Sequence, residues 1–283
     1  MQEGRPSRTA QRVAMRRAAH QFFDEPRVFD DPLALAIIGE EAAEKVRSNG
    51  NEEESSTFAL TMRFLMSVRS RFAEDALARA VAQGVRQYVV LGAGLDTFAY
   101  RNPYPELTVF EVDFPATQAW KQDRLQIANL AIPSNLTYAP VDFEHQTLAD
   151  GLAQAGFRAN EPAFFSWLGV VPYLTHAAAT ATLAYIGGLP KGSGVAFDYP
   201  IPPERLNFME RIAFEALAQR VAKAGEPFQL FFPPEELAVE LSQLGFHEQE
   251  DLDGAAINAR YFDGRTDKFQ LHLGAAHLMC AWV

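Results

Sequence analysis

Tyr88-Val-Val-Leu-Gly-Ala-Gly-Leu-Asp-Thr-Phe-Ala99 is an apolar run that stops at a Gly-Ala-Gly turn. A short apolar run ended by glycine reads as a buried strand. A strand that feeds a glycine turn is the opening of a nucleotide-binding α/β unit. A dinucleotide loop continues to a third glycine, as G-x-G-x-x-G. That position here is Thr97. The turn is therefore either an impaired pyrophosphate loop or a complete turn for another ligand that carries a nucleoside.

Downstream of the turn, strands and helices alternate. Strand patterns cover 87–92, 108–112, 135–141, 164–167 and 195–198. Helical patterns cover 115–130, 176–187, 203–223 and 234–243. Alternation of this kind predicts an α/β fold with a parallel, doubly wound sheet. Two last strand-like runs, near 245–251 and 270–282, enclose a short helical insert at about 254–261. They predict an antiparallel hairpin at the edge of the sheet. Upstream, residues 1–84 read as a helical extension to a core spanning 85–283, with no internal repeat. Asp31-Pro32 is expected to open a short helix with proline at its first position. The polar stretch 48–56 reads as a loop.

Composition narrows the function. The chain has 283 residues, 48% of them hydrophobic, and a formal charge of −11. That is enough apolar material for one large domain. The negative balance argues against non-specific nucleic-acid binding, which runs on excess Lys and Arg. Cys280 is the only cysteine, so neither an internal disulfide nor a cysteine metal framework is expected. No apolar run reaches the roughly 20 residues of a membrane helix. Arg5, Arg8, Arg12, Arg16 and Arg17 loosely suggest a transit peptide. The first helix of a cytoplasmic protein is the favoured reading, and no secretory signal is expected, since no continuous apolar region is present.

Open α/β sheets bind ligands at the carboxyl ends of their strands, beside the point where strand order reverses. The residues just past each strand are therefore the candidates. They are Gly92, Gly94, Asp96 and Thr97, then Asp113, then Asp142 and Phe143, then 166–173, then Asp198 and Tyr199. Asp113 stands twenty-one residues beyond Gly92, where a carboxylate accepts the two hydroxyls of a ribose. A solvated carboxylate at a strand end is the competing reading. Asp142 can accept an adenine amino group, and Phe143 offers a backbone N–H and a ring face. Alone, Asp142 is an ordinary turn residue.

Arg69 stands apart. On a helix over 57–83, Phe58, Met62, Leu65, Phe72, Ala76 and Ala80 share one face, and Arg69 falls in its middle. Arg63, Arg71, Glu74, Asp75 and Arg79 lie on the opposite side, with Arg71 able to pair with Glu74 or Asp75. A buried guanidinium needs an anion. Its partner is either a protein carboxylate or a ligand carboxylate, which arginine grips with two parallel bonds.

Other chemistries are not supported. Gly187-Gly-Leu-Pro-Lys-Gly-Ser193 has the wrong order for a P-loop, and no G-x-S-x-G elbow occurs. None of the eight tyrosines is followed four residues on by lysine, which removes the short-chain dehydrogenase signature. His272 and His277 would point to opposite faces of one strand and cannot share a metal. No metal site is expected.

Several motifs together resemble the leucine carboxyl methyltransferase family. They are Val89-Val-Leu-Gly-Ala-Gly-Leu-Asp-Thr97, Phe110-Glu-Val-Asp-Phe-Pro115, Lys121, Val141-Asp142-Phe143 and Gly169-Val-Val-Pro-Tyr-Leu174. Thr9-Ala-Gln-Arg-Val-Ala-Met-Arg-Arg-Ala18 resembles the bacterial branch, whose members are assigned as S-adenosylmethionine-dependent O-methyltransferases. The resemblance covers roughly residues 7–200. It implies a class I methyltransferase sheet, Rossmann-like, with an N-terminal helical lid, and S-adenosylmethionine as cofactor. It also implies that Arg69 holds the methionine carboxylate, Gly92 and Gly94 line the methionine end, Asp113 binds ribose, and Asp142 with Phe143 binds adenine.

In one place the chain departs from the pattern. Many family members carry a glutamate facing the cofactor just before the glycine that is Gly169 here, and this chain has Leu168. Ser166, or backbone carbonyls near Gly92, are the expected substitutes for holding the methionine amino group. The acceptor is expected to be a carboxylate or hydroxyl of a small molecule. Tyr173, His145 and His176 are the candidate bases, and Arg17 and Tyr173 the candidate acceptor contacts. Two alternatives remain: a nicotinamide oxidoreductase, and a non-catalytic nucleoside-binding protein.

Overall fold

The computed structural model describes residues 8–48, 56–142, 145–223, 225–272 and 274–283. Four helices come first: α1 (Arg8–Phe23), α2 (Ala34–Ile38), α3 (Glu40–Ser48) and α4 (Thr57–Ala82). The alternating part follows: β1 (Gln87–Leu91), β2 (Thr108–Asp113), α5 (Pro115–Ile127), β3 (Leu136–Pro140), α6 (Leu148–Gln154), β4 (Ala163–Trp167), α7 (His176–Gly187) and β5 (Gly194–Pro200). The chain closes with α8 (Phe208–Lys223), α9 (Pro234–Gln243), β6 (Glu248–Leu252), α10 (Gly254–Tyr261) and β7 (Ala276–Trp282).

The seven strands form one sheet in the order β3-β2-β1-β4-β5-β7-β6. Strands β1 to β5 are parallel to their neighbours, and β7 is antiparallel to both β5 and β6. The fold is thus the expected mostly parallel α/β sheet. The last two strands form the expected antiparallel pair at its edge, with β7 lying between β5 and β6. Strand order reverses between β1 and β4, which sets the crevice at the carboxyl ends of those two strands.

Local sequence explains the element starts. Ser56 Oγ accepts from Ala59 N at 3.2 Å and opens α4, and Thr175 and Asp253 cap α7 and α10 in the same way. Pro115 begins α5, where its missing N–H costs nothing. The sheet is apolar on both faces. One face, with Val89, Phe165 and Phe197, packs on α6, α7 and α9. The other, with Tyr88, Val109 and Phe164, packs on α4 and α10. A third cluster joins α1, α2 and α3 to Leu95, just past the glycine turn.

Several expectations need correction. Arg63 does not face solvent: it is buried and grips Asp24 through two nitrogens, at 2.8 and 3.1 Å. Residues 63–70 are buried without a break, because α1 and the segment after it cover the side of α4 that the sheet leaves open. Arg71 pairs with Asp75 at 2.7 Å. The helix expected over 203–223 begins only at Phe208, after a single 3-10 turn at Pro203–Arg205. The short helix near Asp31-Pro32 starts at Ala34, with Asp31 accepting from Leu33 N at 3.2 Å. The last two strands are shorter than expected, and His272 falls outside β7. Of the loop expected over 48–56, Ser48 belongs to α3, Ser56 caps α4, and 49–55 lies outside the described residues. Among the described residues, no helix is long and apolar enough to cross a membrane.

Candidate active site

The glycine turn is tied to the next strand by hydrogen bonds. Gly92 N and Ala93 N both donate to Val112 O, at 2.8 and 3.1 Å. Gly94 N donates to Asp113 Oδ2 at 2.6 Å, and Phe114 N to Asp113 Oδ1 at 2.7 Å. One carboxylate thus fixes the turn after β1 and the start of α5 together. Burial pushes the Asp113 carboxyl above its ordinary range, against those two N–H groups. Each oxygen keeps a second lone pair for a ligand hydroxyl. Gly92 has φ +67°, and a Cβ there would stand 2.4 Å from Val170 Cγ2. Only glycine lets the turn approach the loop after β4 so closely.

Asp142 lies just past β3, and its carbonyl accepts from His145 N and Gln146 N, both at 2.9 Å. Its place at a strand end beside Asp113 is the one expected, and Val141 N bonds Asp113 O at 3.0 Å. Phe143 lies outside the described residues.

At the other side of the crevice, Arg69 reaches from α4 under the loop after β4. Its Nη1 donates to Asp198 Oδ2 at 3.2 Å, and Gly169 N donates to Asp198 Oδ1 at 2.5 Å. Arg69 and Asp198 are only 6% and 9% exposed. A Cβ on Gly169 would lie 2.8 Å from both terminal nitrogens of Arg69, so glycine is what allows the backbone to cross the guanidinium. Of the two partners open to Arg69, the fold supplies a protein carboxylate. Ser166 is buried and its hydroxyl is hydrogen-bonded to Tyr88 behind the sheet. Asp198, one of the strand-end candidates, is the carboxylate that meets Arg69.

Helix α1 packs against the glycine turn, with Ala10 beside Gly94. Arg17 is 4% exposed. It donates through Nη2 to Leu95 O at 2.6 Å and through Nη1 to Asp96 Oδ2 at 3.2 Å, and its Nε lies 3.7 Å from Asp31. Leu95 and Asp96 of the turn and Asp31 ahead of α2 surround it, so Arg17 ties α1 to the Gly92–Asp96 turn. Burial raises the Asp96 carboxyl, but the charges of Arg17, Lys121 and Arg101 outweigh it and leave Asp96 below its ordinary range. Arg101 in turn bonds Glu74, which burial keeps above its ordinary range. Further along, Thr9 hydrogen-bonds Glu226 across the crevice.

Of the candidate bases, only Tyr173 sits with this constellation. Its hydroxyl feels the charges of Arg69, Glu226, Asp198 and Arg12, and burial pushes its pKa up to about 12. At neutral pH it stays a protonated phenol. His145 is exposed beside Asp142, and His176 is exposed on α7 with Nε2 3.1 Å from Glu240 of α9. Neither is brought to Tyr173.

Beneath the turn, Glu111 of β2 and Lys121 of α5 form a fully buried pair at 2.7 Å. Desolvation pushes Glu111 up to about 7, although Lys121 pulls it down. Free glutamate titrates near 4.3. Between those values the native state holds a proton that the unfolded chain has lost, so this group's contribution to stability falls as pH rises through that window. Urea unfolding at pH 5 and pH 8 should show the native protein losing stability relative to Glu111→Gln over that interval. A constant difference between the two proteins would refute the raised value.

The leucine carboxyl methyltransferase family profile matches residues 10–187. YktD of Bacillus subtilis (strain 168), provisionally named an S-adenosyl-L-methionine-dependent methyltransferase, is 32% identical over 291 residues, covering 94% of this chain and 95% of its own. A solved structure from Thermobifida fusca YX, provisionally described as a methyltransferase, matches with a TM-score of 0.59 at 15% identity, over 99% of this chain and 96% of that one. A DUF574 protein from Streptomyces avermitilis MA-4680 matches at 0.56 and 16% identity, over 94% and 96%. The two structures share the fold, and the resemblance read from the motifs holds along nearly the whole length of YktD. The chain belongs to the leucine carboxyl methyltransferase family.

Proposed function

We propose that this protein is an S-adenosylmethionine-dependent O-methyltransferase whose acceptor is a small-molecule carboxylate or hydroxyl, with a carboxylate preferred. Family membership carries the coarser part, a methyltransferase that uses S-adenosylmethionine. The crevice fits that cofactor on its own chemistry. Gly92 lets the turn after β1 close against Val170 of the loop after β4, Asp113 offers a buried carboxylate at the ribose position, and Arg69 offers a cation at the opposite end. The missing third glycine is also explained: it serves helix packing around a pyrophosphate, which this cofactor lacks. Thr97 is fully buried in that place.

S-adenosylmethionine supplies a methyl group on a positively charged sulfur, already activated toward a nucleophile. The residues then have to align the acceptor oxygen and exclude water. Helix α1, clamped by Arg17 over the turn, acts as a lid. Tyr173 is the observation that favours a carboxylate. A phenol held near 12 is a poor base at neutral pH. An ionised carboxylate needs no base, and the Tyr173 hydroxyl can orient it.

Thermal melting tests the reading. At a hundred times its dissociation constant, S-adenosylhomocysteine should stabilise by about 2.7 kcal/mol, a rise of roughly 5 °C for a chain of this size. NADH and NADPH should leave the midpoint unchanged. Stabilisation by a nicotinamide dinucleotide alone would contradict the proposal. Release of S-adenosylhomocysteine on mixing with aliphatic and aromatic acids, but not with the matching alcohols, would separate the two acceptor classes.

A further inference from the structure

Helix α1 meets the crevice with its first turn. A Cβ on Gly94 would stand 3.0 Å from the Ala10 Cβ, so Ala10 sits on the glycine turn. Thr9 reaches the opposite wall, where its hydroxyl bonds Glu226. Arg12 is three residues on from Thr9 and shares that side of the helix. It is exposed, and among the described residues it forms no ion pair. Its charge reaches the Tyr173 hydroxyl, as do those of Arg69, Asp198 and Glu226. The other three are engaged, Arg69 with Asp198 at 3.2 Å and Glu226 with Thr9. Beside Tyr173 lies an aromatic shelf. The Phe228 ring is 5.5 Å from that of Tyr173 and stacks on buried Phe214 at 5.6 Å. Gln229 N donates to Pro172 O at 2.8 Å, and Gln229 Nε2 to Tyr173 O at 3.0 Å. The shelf and the hydroxyl are thus held together.

We propose that Arg12 holds the carboxylate of the methyl acceptor beside the Tyr173 hydroxyl, and that the acceptor is a monocarboxylic acid whose apolar body rests on Phe228. The inference rests on the methyltransferase reading and names the acceptor class. A guanidinium without a counter-charge is a strong partner for a carboxylate. At an open surface such a pair contributes little. Here the acceptor body, Phe228 and Tyr173 displace water from it, which strengthens the attraction. A second carboxylate would meet Glu226 or Asp198, so diacids are disfavoured. The reaction balances without a base. One acceptor oxygen bonds to the methyl carbon, the sulfur–methyl bond breaks, its electron pair stays on sulfur, and no proton is exchanged. The products are the methyl ester and S-adenosylhomocysteine. The ester has lost the charge that Arg12 holds, so the contact that captures the acid also lets the product go.

Calorimetric titration of the full chain, saturated with S-adenosylhomocysteine so that no turnover occurs, tests this. The probes are 3-phenylpropanoate, octanoate, the methyl ester of each, and phenylsuccinate, a diacid. The native protein should bind a monoacid about fivefold or more tightly than its ester, and more tightly than phenylsuccinate. Arg12→Gln should erase the preference for acid over ester while leaving ester binding, S-adenosylhomocysteine affinity and the melting midpoint as in the native protein. Arg12→Lys should keep part of the preference. Phe228→Ala should weaken acid and ester alike, and unchanged binding there overturns the placement of the apolar body. Binding of neither monoacid, equal binding of acid and ester, or a preference that survives Arg12→Gln overturns the inference. A fall in S-adenosylhomocysteine affinity in Arg12→Gln also overturns it, since Arg12 would then serve the cofactor. A native protein that binds no S-adenosylhomocysteine refutes the parent reading, a failure distinct from cofactor binding without regard to the acid.

Discussion

Asp113→Ala lowers affinity for S-adenosylhomocysteine by two orders of magnitude or more, about 3 kcal/mol. Two losses add. The ribose hydroxyls lose a charged acceptor, worth roughly 1.5–3 kcal/mol for each such bond. The turn also loses the group that Gly94 N–H and Phe114 N–H share, so the backbone that lines the methionine end is no longer fixed. Asp113→Asn keeps the shape and one acceptor oxygen, and should fall about tenfold. Isothermal titration of the three proteins gives the comparison. Native affinity in Asp113→Ala would show that the ribose lies elsewhere.

Arg17→Met destabilises the protein by roughly 3–5 kcal/mol, because it leaves Asp31 and Asp96 with a buried charge and less to balance it. Asp31 is 1% exposed and cannot regain water without opening α1. For a chain of this length that lowers the melting midpoint by roughly 10 °C. Affinity for S-adenosylhomocysteine should fall as well, since the clamp orders the segment 95–96 next to Gly94. If Arg17 held an acidic acceptor instead, the variant would melt like the native protein and show only a raised KM for the acceptor. Differential scanning calorimetry and acceptor kinetics on the same sample distinguish the two.

Much of the fold can be read from the chain because its signals are local. Apolar runs bounded by glycine mark β1 and β5, and the strand–helix alternation dictates a parallel sheet. The insertion of β7 between β5 and β6 is not local. It depends on which sheet edge the last strand meets, and no residue in 276–282 encodes that. The periodicity of α4 fails at Arg63 for a similar reason. A helix covered by the sheet on one side and by α1 on the other has no solvent face along 63–70, so a charge there signals a buried partner, Asp24, and not exposure.

The site divides the same way. Asp113 is fixed by spacing from a strand and a turn, both visible in the sequence, and the structure brings it to Gly94. Arg69 stands out because a charge interrupts an apolar face. Its partner Asp198 is 129 residues away and is brought to it only by the β4–β5 pairing. Arg17 reads as a candidate acceptor contact in an arginine-rich helix. Only the tertiary packing of α1 on the turn shows that it is buried. The Glu111–Lys121 pair had a faint signal, an acid inside an otherwise apolar strand with a lysine on the following helix.

The most direct test of the account is a crystal structure of the protein with S-adenosylhomocysteine. The ribose hydroxyls should lie on Asp113, the adenine beside Asp142, and the amino-acid end beside Arg69 at the switch between β1 and β4. A nucleoside bound outside that crevice, or a head group turned away from Arg69, would contradict it.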